Sequence, residues 1–201
     1  MGVTDVAIVD GGGANIASLR YALERLGATS QLTADPAAIR AASHVILPGV
    51  GAAAAAMRKL QGAGLVPVIA GLQQPVLGIC LGMQLLCTGS EEDDAACIGV
   101  FDQGAARLSA SPDAPVPNMG WCRITRTKDS PLLDGVDDGS WFYFVHSYAV
   151  PVTGDTLATA MHTGMFSAVM GRDNFYATQC HPERSSVSGS RLLRNFLKLG
   201  Q

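Results

Sequence analysis

The chain has 201 residues, 48% of them apolar, which suits a single domain spanning 1–201 with a substantial core. Its 14 Lys and Arg against 17 Asp and Glu leave a net charge of −3, so it lacks the basic footprint of a nucleic-acid or anionic-membrane binder. MGVTDVAIVDGGG has no basic region ahead of its apolar stretch, and no segment approaches the roughly 18 uninterrupted apolar residues of a membrane span. The expectation is a cytoplasmic protein, not bound to membrane or nucleic acid, whose partner is a small molecule or another protein.

TDVAIVD predicts a buried strand, and NIASLRYALERLG continues with apolar residues at helical spacing and a closing Gly. SHVILPGVG predicts a second strand, closed by Pro-Gly-x-Gly, and the alanines of AAAAAMRKLQ favour a helix after it. PVLGIC supplies a third strand and LGMQLLC the start of a third helix. Alternation of this kind argues for an α/β fold with a largely parallel central sheet and helices on both faces. Beyond residue 97 the texture changes. IGVFDQGAARL, PNMGWCRIT, SWFYFVHSYAV, TLATAM, FSAVMG and NFYATQCHPE are short aromatic or β-branched runs between Gly, Pro and Asp, as in a hairpin-rich C-terminal half. The final SGSRLLRNFLKLG places Leu192, Leu193, Phe196, Leu197 and Leu199 at helical spacing and predicts an amphipathic core helix.

Five cysteines, at 80, 87, 97, 122 and 180, are an odd number and show no zinc-like spacing, so neither a disulfide framework nor a metal site is expected. Cys80 differs from the rest. In Gly78-Ile79-Cys80-Leu81-Gly82 it has the small-x-nucleophile-x-small form of a nucleophile elbow, with flanking glycines that let the backbone bend where a strand becomes a helix. The helix that follows would point its N–H groups at the sulfur, a setting that favours a thiolate. The other four cysteines are expected to pack in the core, as most cysteines do.

A thiol nucleophile needs a base. Of His44, His146, His162 and His181, only His181 in TQCHPERS has an acid nearby: Glu183, which lies two positions on, where an extended chain would turn both side chains to the same side. His146 in FYFVHSYAV has no orienting acid and reads as a core histidine. Gly49 and Val50, in Pro48-Gly49-Val50-Gly51, together with the N–H of Leu81, are candidate donors for an oxyanion, although an ordinary turn would have the same four residues. DGGGAN near the N-terminus invites a dinucleotide reading, but Gly11-Gly12-Gly13-Ala14-Asn15-Ile16 lacks the third glycine. It leaves open an α/β nucleotide-binding module in which Cys80 is incidental.

PGVG, GICLGMQ and HPE in that order resemble the class I (triad) glutamine amidotransferases. VILPGVG, PVLGICLGMQLL, PNMGW, FYFVHSY and HPERS are similar to the glutaminase subunits of imidazole glycerol phosphate synthase. The resemblance runs from VAIVD to the last helix. It implies a flavodoxin-like fold, Cys80 as nucleophile, His181 as acid and base, and Glu183 as its orienter. Glutamine would be the substrate, and no cofactor would be needed. It further implies Gly51, Gln84, Glu92, Ser147 and Tyr148 in the substrate pocket, with Gln84 one helical turn beyond Cys80. A (β/α)8 cyclase subunit would receive the ammonia in a heterodimer of histidine biosynthesis. Asn15, Met119, Trp121, Tyr143 and Arg184 lie in segments resembling the docking and gating surface. Two residues depart from the family pattern: Cys122 after NMGW, where Asn is usual, and Cys180 before HPE, where an aromatic is usual. The alternative within the family is a glutaminase serving another synthase, of the pyridoxal phosphate or GMP pathway.

Overall fold

The computed structural model describes residues 5–11 and 16–200. The chain runs β1 (Asp5–Val9), α1 (Ile16–Arg25), β2 (Thr29–Thr33), α2 (Pro36–Ala41), β3 (His44–Gly49), α3 (Ala53–Gly62), α4 (Val66–Ala70), β4 (Val76–Cys80) and α5 (Leu81–Leu85). The second half supplies β5 (Asn118–Arg126), β6 (Trp141–His146), β7 (Thr156–Met161), β8 (Met165–Arg172), β9 (Phe175–Thr178) and α6 (Ser186–Phe196). Two-residue ribbons, Gly89–Ser90 with Ala95–Ala96 and Ala106–Arg107 with Tyr148–Ala149, lie outside the main sheet.

The nine strands form one sheet in the order β2-β1-β3-β4-β9-β8-β7-β5-β6. The first five are mutually parallel and the remaining pairings antiparallel. The parallel section therefore has the 2-1-3-4-5 order of a flavodoxin-like sheet, in which ligands bind beyond the carboxyl ends of the strands. The strands of TLATAM, FSAVMG and PNMGWCRIT extend it as the hairpins expected from their texture.

Both faces of β1, β3 and β4 are buried, as their apolar runs require. Val6, Ile8, Ile46, Leu77 and Ile79 face one core with Leu19 and Leu23 of α1 and Leu192, Leu193 and Phe196 of α6. Ala7, Val9, Val45, Leu47 and Val76 face the other, with Ile39, Met57, Leu60 and Ile69 from α2, α3 and α4. Strand alternation divides neighbours between the two cores. Three elements carry no strong periodic signal in the sequence: β2, α2 and α4. In β2, TSQLT, only Thr33 is buried, so no alternation marks it. Helix α2 does carry a start signal: Asp35 accepts from the Ala37 N–H at 2.9 Å, with Pro36 in the first helical position. No described helix is long and apolar enough to cross a membrane.

Candidate active site

Three strand ends meet at the carboxyl edge of the parallel section. Gly49 ends β3, directly opposite Cys80 at the end of β4, and β9 stops at Thr178, three residues before His181. Adjacent strands thus bring together motifs about a hundred residues apart.

Cys80 sits at φ +54°, ψ −110°, a left-handed conformation that an L-residue adopts at a cost of about 1–3 kcal/mol. This is the strained turn expected of a nucleophile elbow, but the glycines serve it differently from the expectation. Neither Gly78 nor Gly82 has a positive φ. Both are needed for close approach instead. A Cβ at Gly82 would lie 1.7 Å from the Leu47 carbonyl oxygen, and one at Gly78 2.8 Å from the Gly82 carbonyl oxygen. Gly49 is held to the same standard, since its Cβ would come within 2.9 Å of the Leu81 Cβ. The helix after Cys80 is only five residues long, so its dipole is smaller than a full helix would give.

Cys80 and His181 line one cleft of about 330 Å³, at the lower end of the range for small-molecule sites. Val50, Gly51, Leu81, Gln84, Glu92, Ser147 and Tyr148 line it too. All five residues expected in a substrate pocket line this cleft, and of the three oxyanion candidates Val50 and Leu81 border it while Gly49 pairs with Cys80. Gly51 has φ +87°, which glycine alone adopts without strain. Glu92 Oε2 accepts from the Ala53 N–H at 2.9 Å and so caps α3, whose N-cap Ala52 offers no side-chain acceptor. The carbonyls of Ser147 and Tyr148 are already engaged, the first by the Leu108 N–H and the second by Gln84 and His146.

His181 and Glu183 are paired: Nδ1 and Oε1 are 2.8 Å apart, and both side chains are buried. The means differs from the extended chain expected, because Pro182–Arg184 forms a 3₁₀ turn that folds Glu183 back onto the ring. With Nδ1 on the carboxylate, Nε2 is left as a buried nitrogen with no hydrogen-bond partner among the described residues. Burial works against the imidazolium. Interaction with Cys80 and Glu183 outweighs it and pushes the His181 pKa up to about 10, so the ring is protonated at neutral pH. A protonated imidazole facing a thiol is a proton donor for a leaving group.

The other thiols are disfavoured as thiolates: Cys87 and Cys180 are buried, Cys97 and Cys122 partly so. Burial pushes Cys87 up to about 12, Cys97 up to about 11, and Cys122 and Cys180 upward as well. Cys180 is fully buried against the Thr178 hydroxyl, in the core. Cys122 makes a polar contact, donating to Asn118 Oδ1 at 3.6 Å. His146 is buried at the end of β6, as expected of a sheet histidine, and also borders the cleft. Its Nδ1–H donates to the Tyr148 carbonyl at 2.9 Å, Asn118 Nδ2 lies 3.0 Å from its Nε2, and burial lowers its pKa to about 4.

Of the docking candidates, Trp121, half-buried Tyr143 and Arg184 form one cluster, Met119 lies two residues before Trp121 on the same strand, and Asn15 lies outside the described residues. Trp121 meets Tyr143 edge to face with ring centroids 6.0 Å apart, and the Arg184 guanidinium lies 5.1 Å from the Tyr143 ring centroid. Met119 is 65% and Trp121 48% exposed. Gly12, Gly13 and Ala14 of the glycine run likewise lie outside the described residues. One residue escaped the sequence reading: Gln179, fully buried, donates to Cys80 Sγ at 3.7 Å. The alternation of TQCHPE, which sets 179 and 181 on one face, is the signal that could have found it.

The profile of the family described as glutamine amidotransferase class-I matches residues 7–199. The chain belongs to that family. It is 48% identical over 197 residues to the imidazole glycerol phosphate synthase subunit HisH of Xylella fastidiosa strain Temecula1, covering 98% of each chain. Identity and coverage are the same with the protein of that name in Xanthomonas axonopodis pv. citri. Among solved structures, a glutamine amidotransferase of Thermotoga maritima superposes with a TM-score of 0.72 at 15% identity, covering 98% of this chain and 97% of the other. PurLQS of the same organism superposes equally well at 16% identity, covering 98% of both. These two likenesses concern the fold of class I glutamine amidotransferases.

Proposed function

We propose that this chain, acting as one domain, is the glutaminase subunit of an imidazole glycerol phosphate synthase, with Cys80, His181 and Glu183 as its catalytic residues. The observation that carries the reading is the 2.8 Å imidazole–carboxylate pair sharing a cleft with a cysteine at a strained strand-to-helix turn. Its relatives of that name, at 48% identity along nearly the whole chain, support the choice of synthase.

The Cys80 thiolate attacks the side-chain amide carbon of glutamine, forming a C–S bond and an oxyanion. Val50 and Leu81 offer their backbone N–H groups to that oxyanion. Protonated His181 gives its proton to the departing nitrogen, the C–N bond breaks, and ammonia leaves a thioester. Neutral His181 then takes a proton from water, whose oxygen attacks the thioester carbon. The C–S bond breaks, the thiolate and imidazolium are restored, and glutamate leaves after releasing a proton to solvent. Glu183 holds Nδ1 throughout, fixing the tautomer and stabilising the imidazolium. Gln84, Glu92, Gly51 and the Ser147–Tyr148 backbone hold the substrate. Met119, Trp121, Tyr143 and Arg184 receive a (β/α)8 cyclase subunit, to which ammonia passes without entering bulk water. An exposed Trp121 packed on a half-buried Tyr143, with a cation on the tyrosine ring, suits an interface anchor.

Reconstitution with such a cyclase tests this. Cys80→Ala should abolish glutamine-dependent synthesis while ammonia still supports it. Loss of both activities, or activation of the wild-type chain only by a pyridoxal phosphate or GMP synthase partner, would overturn the reading.

A further inference from the structure

The sulfur of Cys80 has two hydrogen-bond partners among the described residues. The Val145 carbonyl oxygen is 3.7 Å away and can only accept, so it serves the protonated thiol. The Gln179 side-chain Nε2 is also 3.7 Å away and can only donate, so it serves the thiolate. Ionising the sulfur therefore removes its bond to Val145 and leaves the one from Gln179.

The direction of the Gln179 amide is not free. Gln84 Nε2 lies 3.1 Å from the Tyr148 carbonyl, a backbone acceptor that cannot exchange donor for acceptor. Gln84 must therefore present its NH₂ there. The same NH₂ lies 3.1 Å from Gln179 Oε1, so Gln179 must present its oxygen to Gln84 and its NH₂ to the sulfur. Both amides are closely packed: Gln179 is fully buried and Gln84 is 4% exposed. The Gln179 backbone is fixed too, its N–H donating to the Ala168 carbonyl at 2.9 Å. With both hydrogens of its NH₂ used, Gln84 keeps only its carbonyl oxygen to offer into the cleft it lines.

We propose that Gln179 is a positioning residue that ties the nucleophile to the substrate pocket: its NH₂ holds the Cys80 thiolate while its oxygen fixes which end of the Gln84 amide meets the substrate. The inference rests on Cys80 being the nucleophile. A single buried amide thereby sets both the reacting atom and a donor-seeking group on the substrate side. Disturbing Gln84 is felt at the sulfur, and disturbing Gln179 is felt in substrate affinity.

Two measurements on the full chain test it. The first is the rate at which iodoacetamide labels Cys80, followed by mass spectrometry across pH. Gln179→Met keeps the length and apolar stem but removes donor and acceptor. Labelling at pH 7 should fall about tenfold, the size expected for one hydrogen bond to a charged group, and recover as the pH is raised. A purely structural role would not produce recovery with pH. The second is the KM for glutamine in the complex reconstituted with the cyclase. Gln84→Met and Gln179→Met should each raise KM, and the double variant should be no worse than the worse single, because both break one link. Should Gln179→Met fail to fold, Gln179→Asn draws the amide back by one methylene and should change both readouts in the same direction. Wild-type labelling rates in a folded variant, or additive effects on KM, would overturn the proposal. If wild-type Cys80 is not labelled ahead of the other four thiols, it is the nucleophile assignment that fails.

Discussion

Replacing Glu183 by Gln keeps the shape of the side chain and an oxygen for the His181 Nδ1–H, and removes only the charge. The carboxylate lies 2.8 Å from Nδ1 in buried surroundings, so the bond lost is a charge-assisted one. Such bonds are worth about 1.5–3 kcal/mol net, which at about 1.4 kcal/mol per decade gives a fall in glutaminase kcat of roughly ten- to a hundredfold. The pH profile should move as well. Burial lowers the His181 pKa, but interaction with Cys80 and Glu183 outweighs it and holds it up to about 10, so the protonated ring persists into the alkaline range and is lost as pH rises through that value. Removing one anion lowers the His181 pKa, and the alkaline limb of activity should shift to lower pH. The same sign applies to stability. A histidine raised above its unfolded value of 6.5 contributes stability fully below that pH and loses it toward about 10. Glu183→Gln should therefore destabilise the protein more at pH 6 than at pH 10.5 in thermal melts. Glutamine turnover by the reconstituted complex, measured from pH 6 to pH 11, is the assay. An alkaline limb in the same place as wild type would refute the assignment of Glu183 as the partner that sustains the imidazolium.

Gly82→Ala should be far more damaging than a helix-surface Gly→Ala change, because its Cβ would lie 1.7 Å from the Leu47 carbonyl oxygen. Strand β3 and helix α5 would have to separate, so thermal denaturation should show a loss beyond the roughly 1–3 kcal/mol of ordinary overpacking, and an unchanged melting temperature would contradict the close packing. His146 is buried and neutral, its pKa lowered from 6.5 to about 4. Between those values the unfolded chain takes up a proton that the folded chain refuses, so stability falls as pH drops from 6.5 to 4. At about 1.4 kcal/mol per pH unit the loss is at most about 3 kcal/mol. His146→Gln should flatten that part of the stability–pH curve; an equally steep curve would place the effect elsewhere.

The elements legible in the sequence are those whose burial imposes a pattern. Strands β1, β3 and β4 are covered on both faces and read as apolar runs; α1 and α6 show one apolar stripe each. Strand β2 was illegible because it lies at the sheet edge with one residue buried, and α4 because five residues, VPVIA, cannot display a helical period. At the site, Cys80 was legible through its glycines, although their reason is close packing against Leu47 and Gly82 rather than freedom of φ. The pairing of His181 with Glu183 was legible from their spacing, whereas the turn that achieves it was not, since Pro182 is compatible with extended and 3₁₀ backbone alike. Gln179 is illegible in the sequence because a lone glutamine near the end of a strand has no chemistry until the fold sets a thiol on one side of it and a second amide on the other.

Strand β6 explains why the aromatic cluster and the triad belong to one mechanical unit. Its odd-numbered residues Trp141, Tyr143 and Val145 alternate with the buried Phe142, Phe144 and His146. The backbone of this one strand bonds to both halves of the site. The Tyr143 carbonyl accepts from the His181 N–H at 2.9 Å, its N–H donates to Ser185 Oγ at 2.9 Å, and the Val145 carbonyl faces the Cys80 sulfur. Ser185 in turn donates to the His181 carbonyl at 2.7 Å, closing a ring of bonds around the segment that carries the base. Tyr143 thus touches Trp121 and Arg184 with its ring and holds the backbone of His181 with its carbonyl. Through this one strand the outer aromatics share a backbone with the acceptor of the His181 N–H and the acceptor of the Cys80 thiol.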